Sequence, residues 1–254
     1  MSAIFDNALD SLRIGFEFFE REMTYSSRKH AILTVYHAIE LFFKEALSRT
    51  NPVLIYKNID AKITDDSLTV GLRDILVRFE NIGIKLPKEQ QSAVERIQKI
   101  RNRIEHHRYE HNQQEDDLII AEALRVVLFF NEFILETRLG DIVGAELFGR
   151  MQSRVIEYSE RQGLANHRLD QWMKSEWPDW DEEKEDTPEE FGGTLDCPVC
   201  SQSYFVVGYH EKPFCFHCNT SIEGNVCEDC GFSFLLMDGC KCGHHPSQKK
   251  VSAS

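Results

Sequence analysis

One short segment of the sequence carries most of the side chains that could act on a phosphate. The stretch KIRNRIEHHRYEH, residues 99–111, places two arginines, one asparagine and two adjacent histidines within seven residues. Histidine titrates near neutral pH and can act as a general base. Arginine keeps its charge and donates several hydrogen bonds, so it can stabilise the charge that develops on a phosphate. These residue types suit RNA cleavage in which the RNA's own 2′-hydroxyl attacks the phosphate and leaves a cyclic phosphate.

The same segment is also typical of a solvated helix end, because the helix dipole favours histidine near a C-terminus. On an ideal helix, at about 100° per residue, Arg101 shares its face with Glu105 and Arg108. His106 points roughly 140° away from Arg101. The two side chains therefore converge only if the helix ends or bends before His106, or if two chains share one site.

The segment lies in a locally basic part of a chain whose formal net charge is −13. Proteins that bind a phosphate backbone over a large area are usually basic, because binding depends on the release of counterions. Any contact with RNA is therefore expected to be local. The side chains predicted to bind RNA are those of Arg96, Lys99, Arg103 and Arg108. Glu105 would repel a phosphate unless it pairs with an arginine.

The second group of chemically active residues is the cysteines, all of which lie after residue 196. They form the pairs Cys197/Cys200, Cys215/Cys218, Cys227/Cys230 and Cys240/Cys242. In a cytosolic chain this clustering favours metal ligation over disulfides. Two close thiolates can bind one Zn²⁺ from a tight turn, and a second pair completes the tetrahedral site. The sequence predicts two structural Zn²⁺ sites, each with four cysteines and no open position for catalysis.

The order in which the cysteine pairs combine leaves two alternatives. Sequential pairing joins the first pair to the second and the third to the fourth, across segments that are predicted to be short β-hairpins. Interleaved pairing joins the first to the third and the second to the fourth. His217, His244 or His245 could replace a cysteine ligand at the tighter final pair.

The predicted zinc module is too small to fold on its own core, so metal binding is expected to fold it. Its surface could dock RNA, DNA or a protein. Five aromatic residues could stack on bases or form the hairpin core: Tyr204, Phe205, Tyr209, Phe214 and Phe216.

Hydrophobic periodicity predicts a helical domain in front of this module. Apolar stripes with three- and four-residue spacing predict helices over residues 4–23, 27–48 and 67–81. Pro87 opens a fourth helix that runs into the Arg–His segment. Acidic residues at 115–117 open a fifth helix, which reaches residue 139. This last helix is the most apolar and is expected at the centre of the bundle.

The composition divides the chain of 254 residues into four parts. We predict a helical bundle over 1–142, a helical extension over 143–177, an acidic disordered linker over 178–194 and a zinc module over 195–246. No apolar run reaches the roughly 20 residues that span a bilayer. The N-terminus lacks the features of a signal peptide, so we expect a cytoplasmic protein without membrane contact.

The phrase RNRIEHH resembles the motif of the HEPN superfamily, which is an arginine, four to six residues and a histidine, often with a polar residue after the arginine. Arg101, Asn102 and His106 match this motif, and His107 also satisfies the spacing. The stretch HAIELFFKEAL, residues 37–47, is similar to an early helix of the family in which a glutamate and a lysine follow an apolar pattern. The resemblance covers about residues 1–140 and not the zinc module.

The resemblance implies a HEPN-like bundle of about five to six helices. With the small zinc-ribbon domain and the short β-hairpins that the cysteine spacing predicts, the expected fold class is mainly α. The resemblance also implies a homodimer in which two Arg–His motifs face each other. Many members are metal-independent endoribonucleases that act as toxins or in anti-phage defence. Arg101, Asn102, His106 and His107 are then the catalytic candidates, with RNA as substrate and an antitoxin or defence protein as a further partner.

Other interpretations stay open at this point. A non-catalytic dimeric adaptor would bind nucleotide, RNA or protein, and a zinc-ribbon regulator of transcription or translation would use the helices only to dimerise. Some family toxins are silenced by adenylylation of a tyrosine two residues after the motif histidine. Tyr109 is the modification candidate if His107 is that histidine, although Arg101 is then one residue too far; simple packing at a helix end is the alternative.

Overall fold

The computed structural model describes residues 2–21, 24–64, 66–106, 113–178, 194–200, 202–206, 213–221, 225–226 and 233–234. The helices in these ranges are α1 (Ala3–Glu20), α2 (Tyr25–Thr50), a 3₁₀ helix (Pro52–Ile55), α3 (Leu72–Asn81), α4 (Lys88–Glu105), α5 (Gln113–Phe133), α6 (Leu139–Val143) and α7 (Ala145–Glu176). The strands are β1 (Phe205–Val206), β2 (Phe214–Cys215), β3 (Asn225–Val226) and β4 (Ser233–Phe234). The predicted mainly helical class, with small β-hairpins near the C-terminus, is confirmed.

The chain divides into two compact units, residues 1–158 and 159–254. The first unit contains α1 to α6 and the start of α7. The second contains the rest of α7 and the four strands.

The first unit begins with two closely packed helices, α1 and α2. The Ser2 side chain caps α1 by accepting a hydrogen bond from the Phe5 N–H at 3.1 Å, and Thr24 and Ser27 form a capping box at the start of α2. A Cβ on Gly15 would lie 2.7 Å from Val35 Cγ2 and 2.9 Å from the Val35 backbone nitrogen. Glycine at this position therefore allows α1 to approach the backbone of α2.

The core of the first unit is built around α2, which packs against α1, α3, α4 and α5. The Phe43 ring lies 5.3 Å from that of Phe79 and 4.4 Å from that of Phe130, and all three side chains are fully buried. We predicted α5 at the centre of the bundle. Its apolar face does form part of this core, but α2 is the helix that contacts the others on several sides.

The third and fifth helices differ most in length from their predictions, because of the backbone around them. The third helix begins at Leu72 and not at residue 67, since the preceding residues pair as extended chain: the Lys57 N–H donates to Leu68 O and the Val70 N–H to Ile55 O, each at 2.9 Å. The fifth helix ends at Phe133 and does not reach 139. Glu136 there adopts a φ of 51°, which a continuing helix does not allow.

In the second unit, β1 and β2 form the predicted hairpin between the first two cysteine pairs, with Phe205 opposite Cys215. The second hairpin was predicted across residues 231–239, between the third and fourth pairs. The structure describes only Ser233–Phe234 of this range, and that strand pairs with Asn225–Val226, which precedes the third pair in the sequence. Nearly all of the predicted acidic linker, residues 179–193, lies outside the described residues. Among the residues that the structure describes, no helix combines the length and the apolar character needed to cross a membrane.

Candidate functional site

The Arg–His segment lies at the C-terminal end of α4. The helix is regular through Glu105, and the His106 N–H still donates to Asn102 O at 3.1 Å, so His106 is the C-cap residue. α4 thus ends directly before His106, while this hydrogen bond still keeps the His106 nitrogen in the helical register. On a regular helix, residues five positions apart point about 140° away from each other, so this register favours different directions for the two side chains.

Three groups hold the Arg101 guanidinium near the surface. It forms an ion pair with Glu105 one turn further along α4, and its Nη1 donates to Asn102 Oδ1 at 3.1 Å. Its Cζ lies 5.4 Å from the ring centroid of Tyr36, which belongs to α2. Asn102 and His106 are exposed. Arg101 is thus oriented before any ligand binds, and the two other motif residues of α4 face solvent.

Tyr36 links the motif to the interior of the bundle. Its side chain is buried, and this burial, followed by the nearby charge of Glu40, raises its pKa to about 12; the Arg101 charge acts in the opposite direction. The phenol is therefore neutral at physiological pH. On the same helix, Lys44 donates to Glu40 at 2.7 Å and to Thr69 at 3.1 Å. The glutamate and lysine of the HAIELFFKEAL stretch thus form a structural ion pair.

The predicted basic patch is partly neutralised by α5. Arg96 forms an ion pair with the fully buried Glu122, and Arg103 forms one with Glu115. Lys99 is exposed. Of the predicted RNA-binding side chains that the structure describes, only Lys99 thus faces solvent without a carboxylate of α5 against it. Arg108, together with the candidates His107 and Tyr109, lies outside the described residues.

The first two cysteine pairs converge on one point, as sequential pairing predicts. The Sγ atoms of Cys197, Cys200, Cys215 and Cys218 all lie within 4.8 Å of one another. Cys197 and Cys218 are separated by 3.8 Å between sulfurs, and Cys200 and Cys215 by 3.7 Å. Tetrahedral Zn²⁺ with Zn–S bonds of about 2.3 Å places its sulfurs about 3.8 Å apart. This cluster can hold one metal ion with zinc-like geometry, and interleaved pairing is excluded for these four residues.

The remaining predicted metal ligands, Cys227, Cys230, Cys240 and Cys242, lie outside the described residues, as do His244 and His245. The second Zn²⁺ site thus stays a prediction. In the sequence, His217 lies between Cys215 and Cys218. Its ring stacks on that of Tyr204, with 5.7 Å between the ring centroids.

The aromatic residues around the Cys197 cluster form a small core with the end of α7, which lies in the segment predicted as a separate helical extension. Ala165 and Met173 of α7 are buried against Val206 and Phe216 of the hairpin. The Trp172 ring lies 5.8 Å from that of Phe216. The signal that could have revealed this contact was the tryptophan content of the extension. Phe205 is fully buried, and Tyr209 lies outside the described residues.

Comparison with known proteins adds no relative: no family model, curated protein or solved structure matches this chain.

Proposed function

We propose that the first unit is a metal-independent endoribonuclease of the HEPN type. The observation that carries this proposal is the end of α4, where Arg101 is held in place by Asn102 and Tyr36, with the exposed His106 at the end of the same helix. The RNA 2′-hydroxyl would attack the adjacent phosphate and the P–O5′ bond would break, so that one product ends in a cyclic phosphate and the other in a 5′-hydroxyl that takes up a proton. A role as a toxin or anti-phage effector in the cytoplasm, with an antitoxin or defence protein as partner, is part of the same proposal.

Each motif residue has a role that its chemistry allows. His106 or His107 removes the proton of the 2′-hydroxyl, because imidazole is basic enough near pH 7. Arg101 binds the phosphate oxygens through its guanidinium. Asn102 orients Arg101, to which it is hydrogen-bonded at 3.1 Å. Since α4 directs Arg101 and His106 apart, a homodimer combines Arg101 of one chain with the histidine of the other.

The second unit would recruit RNA or a partner protein. The Cys197 cluster supplies four sulfur ligands, so a Zn²⁺ bound there has no open position and is structural. The hairpin and a second zinc site would present a docking surface for RNA or a partner protein.

The direct test is incubation of the purified protein with total RNA in buffer without added divalent metal. We expect new fragments with cyclic phosphate ends from the wild type, and none from Arg101→Ala or from a variant that carries both His106→Ala and His107→Ala. Arg73→Ala is the matched control, because Arg73 is an exposed arginine on α3, away from the motif. Intact RNA with the wild type, or equal cleavage by Arg101→Ala, would contradict the proposal.

One observation favours a second candidate, a dimeric adaptor without catalysis. The positive charges of Arg96, Arg101 and Arg103 are each paired with a carboxylate of the same chain. A surface whose cations are already paired attracts RNA less strongly. Under this alternative, the wild type and Arg101→Ala leave RNA intact, whereas the protein still dimerises and binds a nucleotide or a protein.

A further inference from the structure

The three arginine–carboxylate pairs of α4 differ in how readily a ligand can replace the carboxylate. The Glu122 partner of Arg96 is fully buried, and the Glu115 partner of Arg103 is 7% exposed. In contrast, the side chains of Arg101 and Glu105 are 33% and 42% exposed. Glu105 also lies on the same helix as Arg101, and its one ion pair within the described part of the chain is the one with Arg101. This pair is the one that can open toward solvent.

The other side of the Arg101 guanidinium is fixed. The Tyr36 ring lies beneath it at 5.4 Å and is only 7% exposed, since α2 holds it in the core. A cation over an aromatic face is attracted to the ring without using its N–H donors. The guanidinium can therefore exchange one oxyanion for another while it stays on the ring.

We propose that Glu105 is a resident counter-ion that an RNA phosphate displaces from Arg101, and that Tyr36 is the positioning residue that keeps the guanidinium in place during this exchange. This inference rests on the proposed function, which puts an RNA phosphate at Arg101. The carboxylate and the phosphodiester both offer two oxygens to the same edge of the guanidinium. Glu105 thus lowers the affinity for RNA and keeps the site closed to weakly bound anions.

The test of Glu105 uses a 2′-O-methyl RNA oligonucleotide, which cannot be cleaved, and follows binding by fluorescence anisotropy. Glu105→Gln removes the competing charge and its repulsion of the phosphate, so we expect about threefold to tenfold tighter binding at low salt. Glu95→Gln is the control, because Glu95 is an exposed carboxylate on α4 and its replacement changes the net charge equally. Equal effects of the two substitutions, or no binding by either variant, would overturn the inference.

The test of Tyr36 separates positioning from stability. Tyr36→Leu removes the ring and should weaken binding about twofold to fivefold, whereas Tyr36→Phe should retain it. In an Arg101→Ala background, Tyr36→Leu should cause no further loss, because the ring acts through Arg101. An equal loss in both backgrounds would show that Tyr36 only supports the fold.

The two proposals fail separately. If Glu105→Gln tightens binding but the wild type leaves cleavable RNA intact, the displacement of Glu105 by phosphate is supported and the ribonuclease proposal is contradicted. If RNA is cleaved through Arg101 but Glu105→Gln binds RNA with the same affinity as Glu95→Gln, the ribonuclease proposal is supported and the displacement of Glu105 is contradicted.

Discussion

The buried carboxylate of Glu122 should dominate the electrostatic stability of the first unit. It is fully buried and accepts hydrogen bonds from Arg96 Nε and from the Tyr158 hydroxyl, each at 3.2 Å. Arg125 Nη2 lies 3.9 Å away. Glu122→Gln preserves the shape of the side chain but removes the negative charge that these two guanidinium groups share.

The size of the effect follows from burial. Loss of one partner of a buried ion pair costs about 3–5 kcal/mol. The side chains of Arg96 and Arg125 are 19% and 13% exposed and keep some hydration, so we expect the low end of this range, about 3 kcal/mol. Glu89 also pairs with Arg125, but its side chain is 57% exposed. Glu89→Gln should therefore cost less than about 1 kcal/mol.

The assay is urea denaturation followed by circular dichroism at 222 nm, with zinc present, and linear extrapolation of the free energy of unfolding. Most of the helical signal arises from the first unit. A loss for Glu122→Gln that is no larger than the loss for Glu89→Gln would refute the electrostatic argument. The same result would show that the pair with Glu122 is not needed for stability, and Arg96 would again be a candidate for RNA binding.

Three further predictions follow from local geometry. Gly15→Ala should lower the free energy of unfolding by about 1–3 kcal/mol, because its Cβ would meet the α2 backbone, whereas Gly149→Ala, with open space, should raise it by about 0.5–1 kcal/mol in the same urea assay. The raised pKa of Tyr36, about 12, means that the unfolded tyrosine ionises first; stability should fall as the pH rises from about 10 to 12, and a Tyr36→Phe variant whose melting temperature falls equally would contradict this. Removal of metal by a chelator, or Cys200→Ser, should shift tryptophan fluorescence to the red while the 222 nm signal changes little, since Trp172 lies against the hairpin whose cysteine cluster can hold a metal ion. An unchanged emission spectrum would show that the hairpin folds without metal.

The features that the sequence predicts well depend on neighbours along the chain. The cluster of Cys197, Cys200, Cys215 and Cys218 is an example, because two thiolates within one turn already share a geometry that suits Zn²⁺. Helix periodicity likewise places Ile97 and Ile104 in the core. Such patterns give the type of element and its buried face, but they do not say which helices meet.

The features that could not be predicted depend on contacts between distant residues. Arg96 and its partner Glu122 lie 26 positions apart in the sequence. The sequence therefore predicts Arg96 as an RNA-binding side chain, whereas in the structure it forms an ion pair with the buried Glu122. The sequence does not indicate that the Tyr36 ring lies under Arg101, because a tyrosine on the apolar face of a helix usually packs in the core without a further role. The packing of α7 on the hairpin was missed for the same reason.

The most direct test of the central claim, a ribonuclease whose site combines residues of two chains, is to mix two inactive variants. Arg101→Ala and a variant that carries both His106→Ala and His107→Ala, each inactive alone, would be mixed in equal amounts, unfolded together, refolded with zinc and assayed on RNA. Random pairing makes half of the dimers mixed, and each mixed dimer holds one intact site, so we predict about a quarter of the wild-type cleavage. No cleavage by the mixture, while the wild type treated in the same way is active, would contradict the shared site, and an inactive wild type would contradict the ribonuclease itself.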